Sequence, residues 1–180
     1  MAHQLRDTRS GMFHVWTHSV WAAPALFRDD IDQMTFLRGL ARVTASHRWR
    51  CMGFCLMRTH YHLVLEVRDD VLPAAMQSLN HGYACHFNRR HGTRGHVQAR
   101  RYGSRRLGDG GALLVGYAYA MNNPVKAGAC SKASDWLLSS FRGTLGLDEP
   151  SSFVDDGPVL GCFRHEIDPR AALRRRVEEM

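Results

Sequence analysis

The stretch Met57-Arg-Thr-His-Tyr-His-Leu-Val-Leu-Glu-Val67 decides the fold, because it has the alternating pattern of a β-strand. Successive side chains of a strand point to opposite faces, so Tyr61 and the apolar residues at alternate positions after it share one face. His60 and His62 then lie on the other face, about 6.5 to 7 Å apart. Two neutral imidazoles at this spacing are able to bind one cation. In a chain with eleven histidines, such a pair can also occur without binding a metal, so the rest of the sequence must decide whether the two residues are ligands.

The length and charge of the chain predict one basic domain. Its 180 residues are enough for one core with a terminal extension and too few for two ordinary domains. The net charge of +7 indicates an anionic partner, for which nucleic acid is the leading candidate. Lys126 and Lys132 are the only lysines, so arginine carries nearly all the positive charge. Arginine grips phosphate through two hydrogen bonds and stacks on bases.

The cysteines and the hydropathy pattern exclude several classes of protein. The five cysteines are an odd number without paired Cys-x-x-Cys spacing, which argues against a disulfide scaffold and a structural zinc site. The N-terminus has no signal-peptide pattern, and no run approaches the ~18 apolar residues that span a bilayer. We therefore expect reduced thiols in a soluble, cytoplasmic protein.

The elements around the histidine strand follow the order β, α, β, β, α, β. Before it the sequence predicts a strand from Met12 to Trp21, a helix that runs to about His47, and an apolar strand from Trp49 to Met57. Asp29, Asp30 and Asp32 supply the N-cap and a negative first turn of this helix. After it come a helix that follows Asp69-Asp70 and ends at Gly92, and a basic strand from His96 to Leu107. This order predicts an α+β fold, a ferredoxin-like split βαβ sandwich with an antiparallel sheet and two helices on one face.

A third helix, which starts at Asp109 to Gly111, is the predicted cover of the histidine face. At about 100° per residue, Tyr117 falls on its apolar side and Tyr119 on nearly the opposite side. Asn123 returns to the face of Tyr119 one turn later. Pro124 is expected to end the helix there by moving Asn123 out of the α region. The alternative is that Tyr119 is a packing residue and Asn123 a helix cap.

The basic strand is the predicted contact with nucleic acid. It combines arginine with an interleaved aromatic side chain, which suits a phosphate backbone with unstacked bases. The candidate DNA-binding residues are Arg100, Arg101, Tyr102, Arg105 and Arg106. A solvated edge strand protected by its charge is the competing interpretation for any one of these arginines.

Several sequence blocks within residues 11–142 resemble the HUH (His-hydrophobic-His) tyrosine transposases of the single-strand type, especially the REP-associated tyrosine transposases. In chain order, the blocks are Phe27-Arg-Asp-Asp30, Cys55-Leu-Met57 before His60-Tyr-His62, Gln77-Ser-Leu-Asn80 through Phe87-Asn-Arg-Arg-His-Gly92, Gly95-His96 followed by Arg101-Tyr102, Tyr119-Ala-Met-Asn-Asn-Pro-Val-Lys-Ala-Gly128, and Trp136 with Ser139-Ser-Phe-Arg142.

The resemblance implies a metal site and a nucleophile. His60, His62 and Asn123 would hold a divalent metal, Mg²⁺ or Mn²⁺, with water and substrate phosphate in the remaining positions. Tyr119 would be the nucleophile, and Tyr117 is set aside because the spacing to Asn-Pro matches Tyr119. The implied reaction is transposase chemistry, in which single-stranded DNA near an imperfect hairpin is cut and rejoined through a covalent 5′-phosphotyrosine.

Other functions and assembly states stay open at this point. A domesticated, non-catalytic hairpin-binding protein is the first alternative, and a small metal hydrolase, which would leave Tyr119 and the basic strand unexplained, is the second. The REP-associated branch favours a monomer, although other members of the wider family are dimers that exchange the tyrosine helix.

The sequence also departs from the family pattern and divides into three parts. Arg58-Thr59 replaces Pro-Asn before the first histidine, an aromatic residue is missing near Gln98, and Gly103 stands where lysine is common. These changes bear on DNA grip more than on the reaction. We expect a flexible N-terminus (1–10), a transposase domain (11–142), and a linker with a basic C-terminal tail (143–180) that binds DNA, folds back over the site or stays solvated.

Overall fold

A four-stranded antiparallel sheet lies at the centre of the computed structural model, which describes residues 10–20, 25–68, 71–98 and 101–180. Its strands lie in the order β2-β3-β1-β4, and each neighbouring pair is antiparallel. Helix α1 follows β1, and helix α2 follows β3, which confirms the predicted ferredoxin-like sandwich. The elements are β1 (Gly11–His18), α1 (Asp30–Ser46), β2 (Arg50–Met57), β3 (His60–Val67), α2 (Leu72–His91) and β4 (Gly103–Leu107).

Each face of the sheet carries its own hydrophobic core. Leu63 of β3 packs in one core with Phe36 of α1 and Met76 of α2. Val64, the next residue of β3, packs in the other core with Tyr117 of helix α3 (Gly110–Met121). The alternation of side chains along a strand explains why neighbours in sequence enter different cores. The histidine face is thus partly covered by α3, as the sequence predicted.

Helices α1 and α2 are fixed to each other at one end by a buried charge. The carboxylate of Asp29 caps α1 by accepting hydrogen bonds from the backbone N–H groups of Ile31 and Asp32. Near the end of α2, Arg90 donates to Asp29 and, at 2.8 Å, to the fully buried carboxylate of Asp32. His91 lies 2.9 Å from the same carboxylate. A buried carboxylate needs such partners, so these contacts set the register between the two helices.

Close packing holds α3 on the sheet. Its N-terminus is capped by Asp109, which accepts a hydrogen bond from the backbone N–H of Ala112. At Gly53 of β2, a Cβ atom would lie 2.7 Å from Cε2 of Tyr117. The absence of a side chain at Gly53 therefore lets the helix approach the sheet closely enough for Tyr117 to be fully buried.

The first and last strands are shorter than predicted. β1 ends at His18, and the Trp21 at which the sequence placed its end lies outside the described residues. The ladder of β4 begins at Gly103 instead of His96. Val97 and Tyr102 are both buried in the core beside α1 and α2. Residues five apart in a regular strand point to opposite faces, so Val97 and Tyr102 do not have the alternation of one regular strand.

The predicted end of the third helix is also wrong. α3 ends at Met121, and Asn123 starts a separate turn, α4 (Asn123–Lys126). Pro124 lies in the first turn of α4, where a missing backbone N–H costs nothing. The proline therefore begins a helical turn and does not remove Asn123 from one.

The residues after 142 pack against both hydrophobic cores. Val154 forms a single bridge to Cys51 of β2, so the segment covers the outer edge of the sheet there. Leu173 and Val177 of the last helix are fully buried in the core that contains Tyr117. One face of this helix is thus packed, and the domain boundary at 142 stays a prediction. The remaining helices are α5 (Phe141–Thr144), α6 (Gly157–Gly161) and α7 (Pro169–Glu178), and none within the described ranges is long and apolar enough to cross a bilayer.

Candidate active site

Imidazole rings from β1 and β3 cluster on the sheet face covered by α3. Pairing of the two strands sets His18 opposite His60. The rings of His60 and His62 lie 5.2 Å apart, centroid to centroid, with their planes at 87°. The ring of His14 lies 5.0 Å from that of His62, and the ring of His18 lies 5.0 Å from that of His60. The two predicted ligands are therefore adjacent, and each has another imidazole beside it.

His62 is the more buried of the two predicted ligands, with 4% of its surface exposed. Burial lowers its pKa to about 3, and the neighbouring imidazoles of His14, His60 and His18 act in the same direction. Its Nδ1 atom lies 2.9 Å from Nε2 of His14, within hydrogen-bond distance. Its Nε2 atom is buried without a hydrogen-bond partner among the described residues. A neutral ring whose Nδ1–H donates to His14 keeps a lone pair on Nε2 that is free to bind a metal.

His60 joins the sheet to α4. Its Nε2 atom lies 2.7 Å from Oδ1 of Asn123, and its Nδ1 atom lies 3.0 Å from the hydroxyl of Thr59. An amide oxygen only accepts, so Nε2 carries the proton in this arrangement. The Thr59 hydroxyl both donates and accepts, so it also supports the other tautomer, in which Nε2 offers a lone pair. His60 is thus able to exchange its hydrogen bond to Asn123 for a shared cation.

The donor atoms fit the predicted metal site. Within the described ranges, no group of three or more His, Cys, Asp and Glu side chains could hold a metal ion. The predicted set differs from such groups because its third member is the amide of Asn123. The buried Nε2 atom of His62, which has no hydrogen-bond partner among the described residues, is the atom to which a metal would bind. The amide oxygen suits Mg²⁺ and Mn²⁺, for which water and substrate oxygens would complete the shell beside the two imidazole nitrogens.

Tyr119 lies beside this cluster and is open to solvent. Its side chain is on the exposed side of α3, with 42% of the residue accessible. Its ring centroid lies 5.8 Å from that of His62 and 5.6 Å from that of His14. The ammonium of Lys126 in α4 lies 4.8 Å from the centre of the Tyr119 ring. The phenol, two imidazoles and a cation are therefore within reach of one substrate group.

Tyr117 does not have these properties. It is fully buried, and its hydroxyl donates to Oγ1 of Thr144 at 3.3 Å. Burial raises its pKa, which disfavours the phenolate that a nucleophile needs. The angle of about 100° per residue between helical positions thus puts Tyr117 in the core and Tyr119 on the exposed side of α3, as the sequence predicted.

A cavity of about 620 Å³ opens in front of the cluster, and we call it the active-site cavity. Arg105 of β4 pairs with His14 in the sheet and contributes to lowering the pKa of His14 to about 4, after the larger effect of burial. Arg106 also lines the cavity, but its guanidinium lies 5.5 Å from the ring of Phe13 on the other face of the sheet. The residues that surround the cavity are His14, Trp16, His18, His60, His62, Arg105, Arg106, Leu107, Gly111, Ala112, Val115, Gly116, Tyr119, Asn123 and Met180.

Two of the other predicted DNA-binding residues lie at a different cavity. Arg101 and Tyr102 line a cavity of about 660 Å³ between α2 and residues 95–98 and 101–102. Amide side chains, including Asn80 and Gln98, contribute to its wall. Arg100 lies outside the described residues. Among the described residues of the basic segment, Arg101 and Tyr102 thus line one cavity and Arg105 and Arg106 the other, and the charge of Arg105 contributes to the lowered pKa of His14.

Sequence reasoning missed two residues of the site. His14 shares a face of β1 with Trp16 and His18, but the sequence did not indicate whether that face meets the core or the site. Knowing that β1 pairs with β3 would have answered the question. Lys126 follows Tyr119 by seven residues, which is two helical turns, and this spacing was the available signal.

Comparison with solved structures identifies the fold. A REP-associated tyrosine transposase bound to a REP hairpin superposes with a TM-score of 0.69, at 15% sequence identity, over 86% of this chain and 94% of that chain. The chain has the fold of a REP-associated tyrosine transposase. A "putative transposase" from Deinococcus radiodurans R1 gives a TM-score of 0.45 at 12% identity, over 64% of this chain and 92% of that one. The sequence matches no protein-family model and no curated protein. The superposition with a TM-score of 0.69 thus confirms, at the level of the fold, the family resemblance that the motifs indicated.

Proposed function

We propose that this protein is a metal-dependent transposase that cuts and rejoins single-stranded DNA near hairpins through a covalent 5′-phosphotyrosine on Tyr119. The observation that carries the proposal is the position of the exposed Tyr119 phenol against the rings of His62 and His14. Next to them lie the paired side chains of His60 and Asn123. A purely structural tyrosine would not need an open cavity with these groups in its wall.

The reaction follows from the groups at the cavity. The Tyr119 oxygen attacks phosphorus in line, an O–P bond to tyrosine forms, and the bond from phosphorus to the 3′ oxygen breaks. The phenol loses its proton, and the departing 3′ oxygen takes one up. Lys126 and Arg105 supply positive charge beside the phosphate as negative charge builds on it. Because the phosphotyrosine conserves the phosphodiester linkage, attack by a 3′-hydroxyl reverses the step and joins a strand.

A divalent metal held by His60, His62 and Asn123 would polarise the scissile phosphate when bound. The chain's own contribution is to keep the His62 imidazole neutral, which burial does by lowering its pKa. His14 fixes the ring of His62 from behind through the hydrogen bond to Nδ1. We take a monomer as the active form, on the resemblance of the motifs to the REP-associated branch.

The substrate is proposed from the neighbour and from the charge. The structural neighbour is bound to a REP hairpin. This chain has a net charge of +7 and an arginine-rich strand at the cavity. An imperfect DNA hairpin with single-stranded arms therefore suits it as a substrate.

The decisive experiment is incubation of the protein with hairpin-bearing single-stranded DNA and Mn²⁺, followed by a denaturing gel. A covalent protein–DNA adduct is expected. Tyr119→Phe should abolish the adduct, and His62→Ala should do the same. Tyr117→Phe is the matched control, because it removes the same hydroxyl two residues away on the same helix and should leave the adduct intact. Binding without an adduct across suitable hairpins would instead support a hairpin-binding protein that does not turn over.

A further inference from the structure

Trp16 occupies a position in the active-site cavity that the reaction does not use. In the sheet it pairs with His62 of β3 on one side and with Gly103 of β4 on the other. Side chains at paired positions share a face of the sheet, so the indole lies beside the proposed metal ligand. Trp16 also lines the active-site cavity, as Tyr119 does.

Gly103 has no side chain, and this leaves the space that the indole of Trp16 occupies. A Cβ atom at residue 103 would lie 2.2 Å from Cε2 and 2.4 Å from Cζ2 of Trp16. These distances are far below van der Waals contact, so the indole lies directly against the backbone of β4. A glycine inside a strand weakens the strand unless a close approach requires it. The indole is that close approach, and any other residue at 103 would push it away.

A packing role does not account for this arrangement. Within the described part of the chain, Trp16 belongs to neither of the two hydrophobic cores. It is only partly buried, and its ring lies 5.0 Å from that of His14 at an angle of 32°. A large flat ring thus lies against a bare backbone segment, with a histidine ring beside it, while still lining an open cavity. Aromatic side chains held in this way are the platforms on which proteins stack unpaired bases.

We propose that Trp16 stacks on an unpaired nucleobase next to the phosphate that Tyr119 attacks, and that Gly103 holds the indole in the required position. This inference rests on the proposed function, because it assigns a substrate contact within the same cavity. The stacked base would orient the strand so that the scissile phosphate faces Tyr119. Any of the four bases has a π-face, so the contact fixes position more than sequence.

The test measures binding in the Tyr119→Phe background, so that no cleavage occurs. The probe is a labelled REP DNA hairpin with single-stranded arms, in which an abasic nucleotide replaces each arm position in turn. In fluorescence anisotropy, Trp16→Ala should weaken binding about 5- to 100-fold, the loss expected for one stacked base. Trp16→Phe should retain most of the affinity that Trp16→Ala loses. The parent protein in this test is the one that carries only Tyr119→Phe. One abasic position should weaken DNA binding to this parent and should have no further effect on binding to Trp16→Ala.

A second pair of variants tests the role of Gly103. Gly103→Ala should weaken binding when Trp16 is present and should add nothing to Trp16→Ala. Gly108→Ala is the matched control, because no atom lies within 4 Å of its added Cβ. Circular dichroism and thermal unfolding check that each variant is folded. If Gly103→Ala does not fold, the Trp16 variants and the abasic series decide the matter.

The possible failures are distinguishable. If the parent protein binds the hairpin but Trp16→Ala binds it equally well, the stacking proposal is overturned and the proposed function stands. The proposal is also overturned if every abasic position weakens parent and Trp16→Ala by the same factor. If the parent does not bind hairpin DNA at all, the proposed function fails together with this inference.

Discussion

Nε2 of His60 lies 2.7 Å from Oδ1 of Asn123. This contact joins β3, an interior strand of the sheet, to α4, the turn that follows the helix with Tyr119. Without a metal this contact is a hydrogen bond, and in the proposed metal site the two side chains would be adjacent ligands. Asn123→Leu should therefore lower Mn²⁺ affinity at least about 10-fold, because an apolar side chain replaces an oxygen ligand. Asn123→Asp should retain or strengthen binding, since a carboxylate is a better ligand for a hard cation.

Titration calorimetry with MnCl₂ measures both affinities directly. Asn122→Leu is a poor control because that residue is buried, so Asn88→Leu, which alters an amide on α2, is preferable. Equal Mn²⁺ affinity in the parent protein and in Asn123→Leu would remove Asn123 from the ligand set.

Lys126 is predicted to act in the chemical step and not in folding. Its ammonium lies 4.8 Å from the Tyr119 ring, and its side chain is exposed. Lys126→Gln should slow adduct formation about 10- to 100-fold, because a cation beside the developing phosphate charge is lost. Lys132→Gln removes the only other lysine and should leave the rate unchanged. Single-turnover rates compare the two, and a similar rate for both would show that the position of the charge does not matter.

The sequence was sufficient for the parts of the site that depend on local geometry. Alternation along β3 placed His60 and His62 on one face, and the angle of 100° per residue separated Tyr119 from Tyr117. Both relationships involve residues within a few positions of each other. They are set by backbone periodicity, which a single sequence displays.

The sequence was not sufficient for contacts that depend on pairing between distant segments. The bond between His14 and His62 spans 48 residues and follows from the register of β1 against β3. The same register sets Trp16 against His62. The burial of Leu173 also could not be read from α7 alone, because an amphipathic basic helix suits water, DNA and a protein surface equally well.

The two buried histidines are predicted to make the metal-free protein lose stability in weak acid. Burial lowers the pKa of His62 to about 3, and burial with nearby Arg105 lowers that of His14 to about 4. Below an unfolded pKa of about 6.5, the unfolded chain binds protons that the folded chain excludes. The free energy of unfolding should therefore fall with pH below about 6.5, by up to about 1.4 kcal/mol per pH unit for each histidine.

Urea unfolding in the presence of a chelator, at a series of pH values between about 4.5 and 7, measures this slope. His14→Phe should reduce the slope, because it removes one buried group that must stay neutral. His165→Gln, which removes an exposed histidine, should not. A slope that does not change in His14→Phe would mean that the buried imidazoles take up protons without loss of the fold.

The last helix is predicted to be part of the folded unit and not a separable tail. Leu173 is fully buried in the core that contains Tyr117, so Leu173→Ala should cost about 2 to 5 kcal/mol in the free energy of unfolding. Arg175, two residues along the same helix, has a mostly exposed side chain, and its ion pair to Glu166 is 3.9 Å long. Arg175→Ala should therefore change stability by less than about 1 kcal/mol. Urea unfolding separates the two variants. If Leu173→Ala were as stable as Arg175→Ala, residues 143–180 would act as the independent tail that the sequence first indicated.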